Sequence, residues 1–132
     1  MSDGTTAALL DFLHDYEKRT NSHSFDDPAP LIADDATYWF GGGSFTGRGA
    51  IKHAIETTWG LIRDEQYAIK DVRCIAVDAH VAACLYTLHW KGLVGGSARE
   101  GSGRGTSVLR RDAEQWRVIH EHLSPMPPDY GD

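Results

Sequence analysis

Helical spacing is confined to the first half of this chain, and the second half reads as four long strands in succession. Leu9, Phe12, Leu13 and Tyr16 recur at i, i+3, i+4 and i+7. This predicts a helix over 6–20, capped by Thr5 or Thr6 and ended by Asn21-Ser22. A short second helix fits FDDPAPLI, with Asp26 or Asp27 as its cap and Pro28 in its first turn. The β-branched and aromatic run 36–40 is a strand ended by Gly41-Gly42-Gly43. GGGSFTGRG then reads as a turn leading into a third helix, whose apolar stripe is Ile51, Ile55, Thr58, Trp59 and Ile62. Four strands follow, near 67–77, 81–91, 99–111 and 115–123. They are joined by a turn at Asp78-Ala79, the glycine-rich loop GLVGGSAREGSG and a turn at 112–114. Such short connections make an antiparallel meander.

Helices first and strands after indicate α+β with segregated layers. Three helices cover only one face of a long twisted sheet. A strongly curved, mostly antiparallel sheet wrapped around three N-terminal helices is then cone-shaped, with an internal pocket. Its outer face, carrying Val, Trp and His, is expected to meet a second copy in a homodimer. A chain of 132 residues suits one domain, placed at 1–124, with an irregular Pro- and Asp-rich tail at 125–132.

There are 13 Lys and Arg against 19 Asp and Glu, and the net charge of −6 argues against a nucleic-acid partner. The compact basic cluster is Arg110-Arg111 with Arg104 nearby. No apolar stretch approaches the ~20 residues of a membrane span, and the N-terminus lacks a basic secretory n-region, so a cytoplasmic location is expected. A two-residue turn at Asp78-Ala79 would pair position 74 with 83, leaving Cys74 and Cys84 on opposite sheet faces, so no disulfide is expected unless a bulge shifts the register. No P-loop, dinucleotide fingerprint or nucleophile elbow is present, and no cofactor is expected.

The run LIADDATYWFGGGSFTGRGAIKHAI resembles the SnoaL-like signature: an acidic pair, a strand, then Gly-Arg-Gly opening a helix. GRGTSVLRRDAEQWRVIHEHLS resembles that family's last hairpin, and also the end of the association domain of calcium/calmodulin-dependent kinase. The resemblance implies a nuclear-transport-factor-like, ketosteroid-isomerase-like cone. That superfamily hosts enzymes, binding domains and oligomer hubs, so the fold does not fix the function. In ketosteroid isomerase a helix-one tyrosine and a protonated aspartic acid form the oxyanion hole while another Asp is the base. By resemblance, Tyr16 falls at the tyrosine position, Phe40 at the base and Thr106 near the second acid. Phe40 cannot take a proton, and Thr106 substitutes poorly for an acid, so the resemblance argues against steroid-isomerase chemistry here.

The candidate pocket residues are Tyr16, Tyr38, Phe40, Trp59, Tyr86, Arg104, Thr106 and Glu121. Tyr16 either donates into the cavity or is a core tyrosine bonded to a backbone carbonyl. Tyr38, Phe40, Trp59 and Tyr86 are pocket wall or plain core. Arg104, sharing a strand face with Thr106, either meets an anionic ligand or pairs with an acid. In HEH, alternation puts His120 and His122 on one face and Glu121 on the other with Ile119 and Leu123. His53, His80 and His89 supply no evident third ligand, so no metal is expected. Glu121, desolvated among apolar neighbours, is the best acid or base candidate. The reading is a pocket for a small cyclic molecule bearing a carbonyl or an anionic group. The alternatives are a cofactor-free isomerase, cyclase or lyase using Tyr16, Arg104 and Glu121, or an association module.

Overall fold

Alternation along long strands shapes the computed structural model, which describes residues 3–126. The elements are α1 (Asp3–Thr20), a 3₁₀ turn (Ala29–Leu31), β1 (Ile32–Phe40), β2 (Gly43–Thr46), α2 (Arg48–Leu61), β3 (Arg63–Val77), β4 (Val81–Val94), β5 (Ser97–Asp112) and β6 (Gln115–Pro125). One sheet runs β2-β1-β6-β5-β4-β3. Its β1–β6 pair is parallel and the other pairs are antiparallel. The α+β cone is therefore present, with a mostly antiparallel sheet curved around the helices. Leu9, Tyr38, Ile51, Leu109 and Val118 are fully buried between the helices and the concave face.

The helical layer is thinner than expected. FDDPAPLI yields only the 3₁₀ turn, and its cap position, Pro28, has no side-chain bond. Pro30 lacks an N–H and disfavours helical backbone at Ala29, so the turn cannot propagate. GGGSFTGRG holds a strand as well as a turn: Gly41 and Gly42, both at positive φ, reverse the chain so that β2 pairs with β1. The acidic pair beside this hairpin has partners. Arg48 lies 2.8 Å from Asp34, and Arg110 bonds Asp35 and Asp112.

The glycine-rich loop is also mostly strand. β4 and β5 run on to a two-residue turn at Gly95-Gly96. Gly101 and Gly105 sit opposite Trp90 and Tyr86 across the ladder. A Cβ at either would collide with that aromatic ring, so the glycines let two large rings lie flat on the concave face. Register shifts within β3–β4 and at Val108/Leu109 add curvature. β6 continues through Pro125, one residue into the expected tail, and 127–132 lie outside the described residues.

β3 is a sheet edge, and side chains at the end of α1 cover part of it. Ile69 N–H donates to Glu17 Oε2 at 2.6 Å. Asn21 takes both backbone groups of Tyr67, each at 2.8 Å, as a neighbouring strand would. His23 Nε2 donates to the Glu65 carbonyl at 2.8 Å. The bonded backbone positions 65, 67 and 69 are alternate residues, so Glu65, Tyr67 and Ile69 share a sheet face.

Candidate functional site

The parallel register sets Tyr38 of β1 directly beside Glu121 of β6, and α1 brings Tyr16 over both. The Tyr16 hydroxyl donates to Glu121 Oε1 at 3.0 Å and lies 2.8 Å from the Tyr38 hydroxyl. A phenol has one proton to give. With the Tyr16 proton directed at Glu121, Tyr38 donates to Tyr16 and the order is Tyr38 to Tyr16 to Glu121.

Glu121 is 4% exposed. Burial raises its carboxyl to about 7, against the opposing pull of the Tyr16 hydrogen bond. Burial and the neighbouring Glu121 also push both phenols well above their ordinary range. The cluster therefore exchanges a proton near neutrality at the carboxyl, while the phenols stay neutral donors.

A cavity of about 100 Å³ opens beside the cluster. Its walls are Tyr16, Phe40, Ile55, Trp59, Tyr67 and Leu123, with Thr20, Thr58, Glu65 and Glu121 as the other lining residues. Trp59 stacks on His23 at 5.3 Å between ring centroids. Among the described residues, the buried hydroxyls of Thr20 and Tyr67 have no hydrogen-bond partner. Buried polar groups are rarely left so, and both line the cavity, where a ligand oxygen or water would satisfy them. Burial raises the Glu65 carboxyl too, with His23 partly opposing it.

Of the eight residues singled out from sequence, the structure gathers four in the cavity wall: Tyr16, Phe40, Trp59 and Glu121. Tyr38 stands one hydrogen bond behind them. Tyr86 is buried further along the cone and bonds Ser107 at 2.9 Å. Arg104 and Thr106 do not join the site. On β5 the buried positions are Gly103, Gly105, Ser107 and Leu109, so the alternate residues Arg104 and Thr106 face outward. The glycines carry no side chain to betray which face is inner, and the expectation for Arg104 and Thr106 falls on the wrong one. An anionic ligand held by Arg104 in this cavity is thereby excluded.

Sequence reasoning missed Thr20, Glu65 and Tyr67. Tyr67 is legible there only as the first residue of a strand, and Glu65 lies before that expected start. His120 and His122 share the outer face with Trp39, which they meet edge-on at centroid distances of 4.7 and 5.5 Å. His120 Nδ1 donates to the Thr37 carbonyl at 2.7 Å. Among the described residues no group of three or more His, Cys, Asp or Glu is placed to hold a metal ion, and no helix is long and apolar enough to cross a membrane.

A family model for the SnoaL-like domain matches residues 9–128. The chain belongs to the SnoaL-like domain family. No curated protein sequence matches it significantly. Among solved structures, this SnoaL-like chain resembles a nuclear transport factor 2-like superfamily protein of Salmonella enterica, with TM-score 0.85 and 15% identity over 100% of this chain and 99% of the other. A scytalone-dehydratase-like protein of Novosphingobium aromaticivorans gives TM-score 0.83 and 16% identity over 96% and 89%. A calcium/calmodulin-dependent protein kinase II association-domain-like protein of Xanthomonas campestris gives 0.79 and 19% over 94% and 87%. At such identities the likeness concerns the fold.

Proposed function

We propose that this SnoaL-like domain binds a small cyclic carbonyl compound in the cone and moves a proton on it through Glu121. The observation that carries this reading is a carboxyl 4% exposed, titrating near neutrality, that lines a largely apolar cavity and is bonded by a tyrosine hydroxyl. No Lys, Arg or His is among the lining residues, which favours a neutral ligand over an anion. A cavity near 100 Å³ is smaller than the ~150 Å³ that holds benzene, which limits an enclosed ligand to no more than one small ring. The unpartnered hydroxyls of Thr20 and Tyr67 supply donors for its oxygen. Proton abstraction beside a carbonyl, giving isomerisation or loss of water, is chemistry that one such carboxyl performs. The dehydratase name borne by the Novosphingobium structure is compatible with it.

Deuterium exchange tests this. Small cyclic enones incubated with the protein in D₂O are expected to exchange protons adjacent to the carbonyl, followed by NMR. Glu121→Gln should still bind them, seen as a thermal shift, and lose the exchange. Binding by neither protein, or equal exchange with both, overturns the reading.

The association alternative loses ground, because the cone is hollow and its inner wall is polar at chosen points. We also propose a homodimer through the outer sheet face. It is supported by Trp39, 45% exposed yet fixed against His120 and His122.

A further inference from the structure

We infer that Cys74 and Cys84 form a redox-active dithiol that closes to a disulfide across β3 and β4. The sequence separates them onto opposite faces if the register from the turn is unbroken, and the structure sets them directly opposite one another with the sulfurs 3.0 Å apart. The cause is a bulge. Near the turn, Val77 meets Ala82 and Ala76 meets Ala83, a register that would carry Cys74 to Leu85. One extra residue, Ile75, shifts the ladder so that Cys74 meets Cys84 instead. Ile75 itself is left 56% exposed, an unfavourable place for an isoleucine. The bulge thus puts an apolar side chain in water and two thiols face to face.

The frame around them is firm. The Asp78 carboxylate accepts from the N–H groups of His80 at 2.7 Å and Val81 at 2.8 Å, fixing the turn that joins the strands. Directly opposed strand residues have Cβ atoms about 4.5–5.5 Å apart, and a disulfide needs ~3.5–4.5 Å. Closure therefore asks for a small approach of the two strands and no change of register.

The two thiols differ in access. Cys84 is buried and Cys74 is half-buried. Burial and its neighbour push the Cys84 thiol up to about 12, so Cys74 is the thiol that attacks. Its thiolate displaces one half of a small disulfide such as oxidised glutathione, forming a mixed disulfide and releasing one thiolate. That thiolate takes up the Cys84 proton as the Cys84 sulfur attacks Cys74 Sγ and expels the second half. One external disulfide is reduced to two thiols, and two cysteines are oxidised to one cystine. The adjacency of the sulfurs makes the second step intramolecular and offsets the poor ionisation of Cys84.

The reduced chain is incubated with oxidised glutathione and its mass measured, with peptide mapping and a melting curve. The wild type is expected to lose two hydrogens, keep no glutathione, map as Cys74 joined to Cys84, and melt roughly 5–10 °C higher than when reduced. Cys84→Ala should stall with one glutathione on Cys74, and Cys74→Ser should not react. Two free thiols after oxidation, glutathione retained on wild-type Cys74, or a link between chains each overturn the inference.

Discussion

Tyr38 and Trp39 are consecutive on β1, yet Tyr38 is sealed from water while Trp39 is 45% exposed. The same inversion on β6 sets Glu121 inside and His120 and His122 outside. Both faces carry aromatic rings and titratable groups, so composition does not distinguish them. What differs is enclosure. Inside, α1 and the curved sheet hold Tyr16 and Tyr38 against the carboxyl and leave it only 4% exposed. Outside, the residues hold one another edge-on but keep their solvent. The inner face is therefore closed by this chain alone, and the outer face is the one left open to a partner.

The strongest way to break that contrast is to truncate both neighbours. Tyr38→Ala should cost about 3–5 kcal/mol, as for other buried aromatics, and it also removes the hydroxyl that donates to Tyr16. Trp39→Ala should cost the folded monomer about 1 kcal/mol or less, any further loss coming from a broken dimer contact. Urea unfolding at neutral pH measures both. Equal losses would mean that the two faces are equally buried in solution.

Titration of Glu121 comes next in size. The unfolded carboxyl ionises near its ordinary 4.5 and the folded one at about 7. Between those values the folded state holds a proton that the unfolded chain has released. Stability therefore falls as pH rises through this window, and the loss is complete above about 7. Its size is on the order of 3 kcal/mol. Glu65 adds a slope of the same sign, since burial raises it too. Glu121→Gln removes the Glu121 slope and leaves that of Glu65: the variant should match wild type near pH 4 and exceed it by about 3 kcal/mol near pH 8. Urea midpoints at the two pH values decide this, and a difference independent of pH would show that Glu121 is not the group that titrates.

Much of the inner face was legible because it rests on period and alternation. Helical spacing turned Tyr16 inward, and strand alternation separated Glu121 from the two histidines. The class of fold followed from helices preceding strands. What stayed illegible depended on features without a side chain or without a local signal. The inner residues of β5 are mostly glycines, so Arg104 and Thr106 were assigned to the wrong face. The bulge at Ile75 leaves no mark in the sequence, and with it went the register of Cys74. Tyr67 and Glu65 are held by Asn21, which looked only like the end of a helix, and by His23, which carried no signal of its own; both are distant in sequence.

That last dependence gives a smaller effect. Asn21→Ala removes two hydrogen bonds to the Tyr67 backbone and should cost about 2 kcal/mol. It should also speed hydrogen exchange at the Tyr67 amide. Thr87→Val provides the comparison on the outer face, where the hydroxyl makes longer bonds of 3.2 and 3.3 Å to Asp71 and Lys70. It should change stability by about 0.5 kcal/mol or less. A cost for Thr87→Val as large as for Asn21→Ala would remove the distinction between a wall that is built and a face that is merely displayed.

A substitution at Trp39 with little expected effect on the fold is the most informative about the outer face. Trp39 donates to Ser44 Oγ at 3.0 Å and is wedged against both histidines, so it is exposed without being loose. A large ring already immobilised loses little side-chain entropy on association, which makes it a good anchor for a second copy. Trp39→Asp should leave the unfolding free energy of the monomer within about 1 kcal/mol of wild type and preserve the Glu121 pH dependence, while the stability that association adds to a wild-type dimer is lost. Sedimentation of the wild type at micromolar concentration should show a dimer, and the variant a monomer. A second copy seated there would place a carboxylate against its own symmetry mate or an apolar neighbour, and either contact is unfavourable. A wild-type monomer, or a variant that stays dimeric, would mean that the outer sheet face is not the contact. The Trp39–histidine cluster would then need a role of its own.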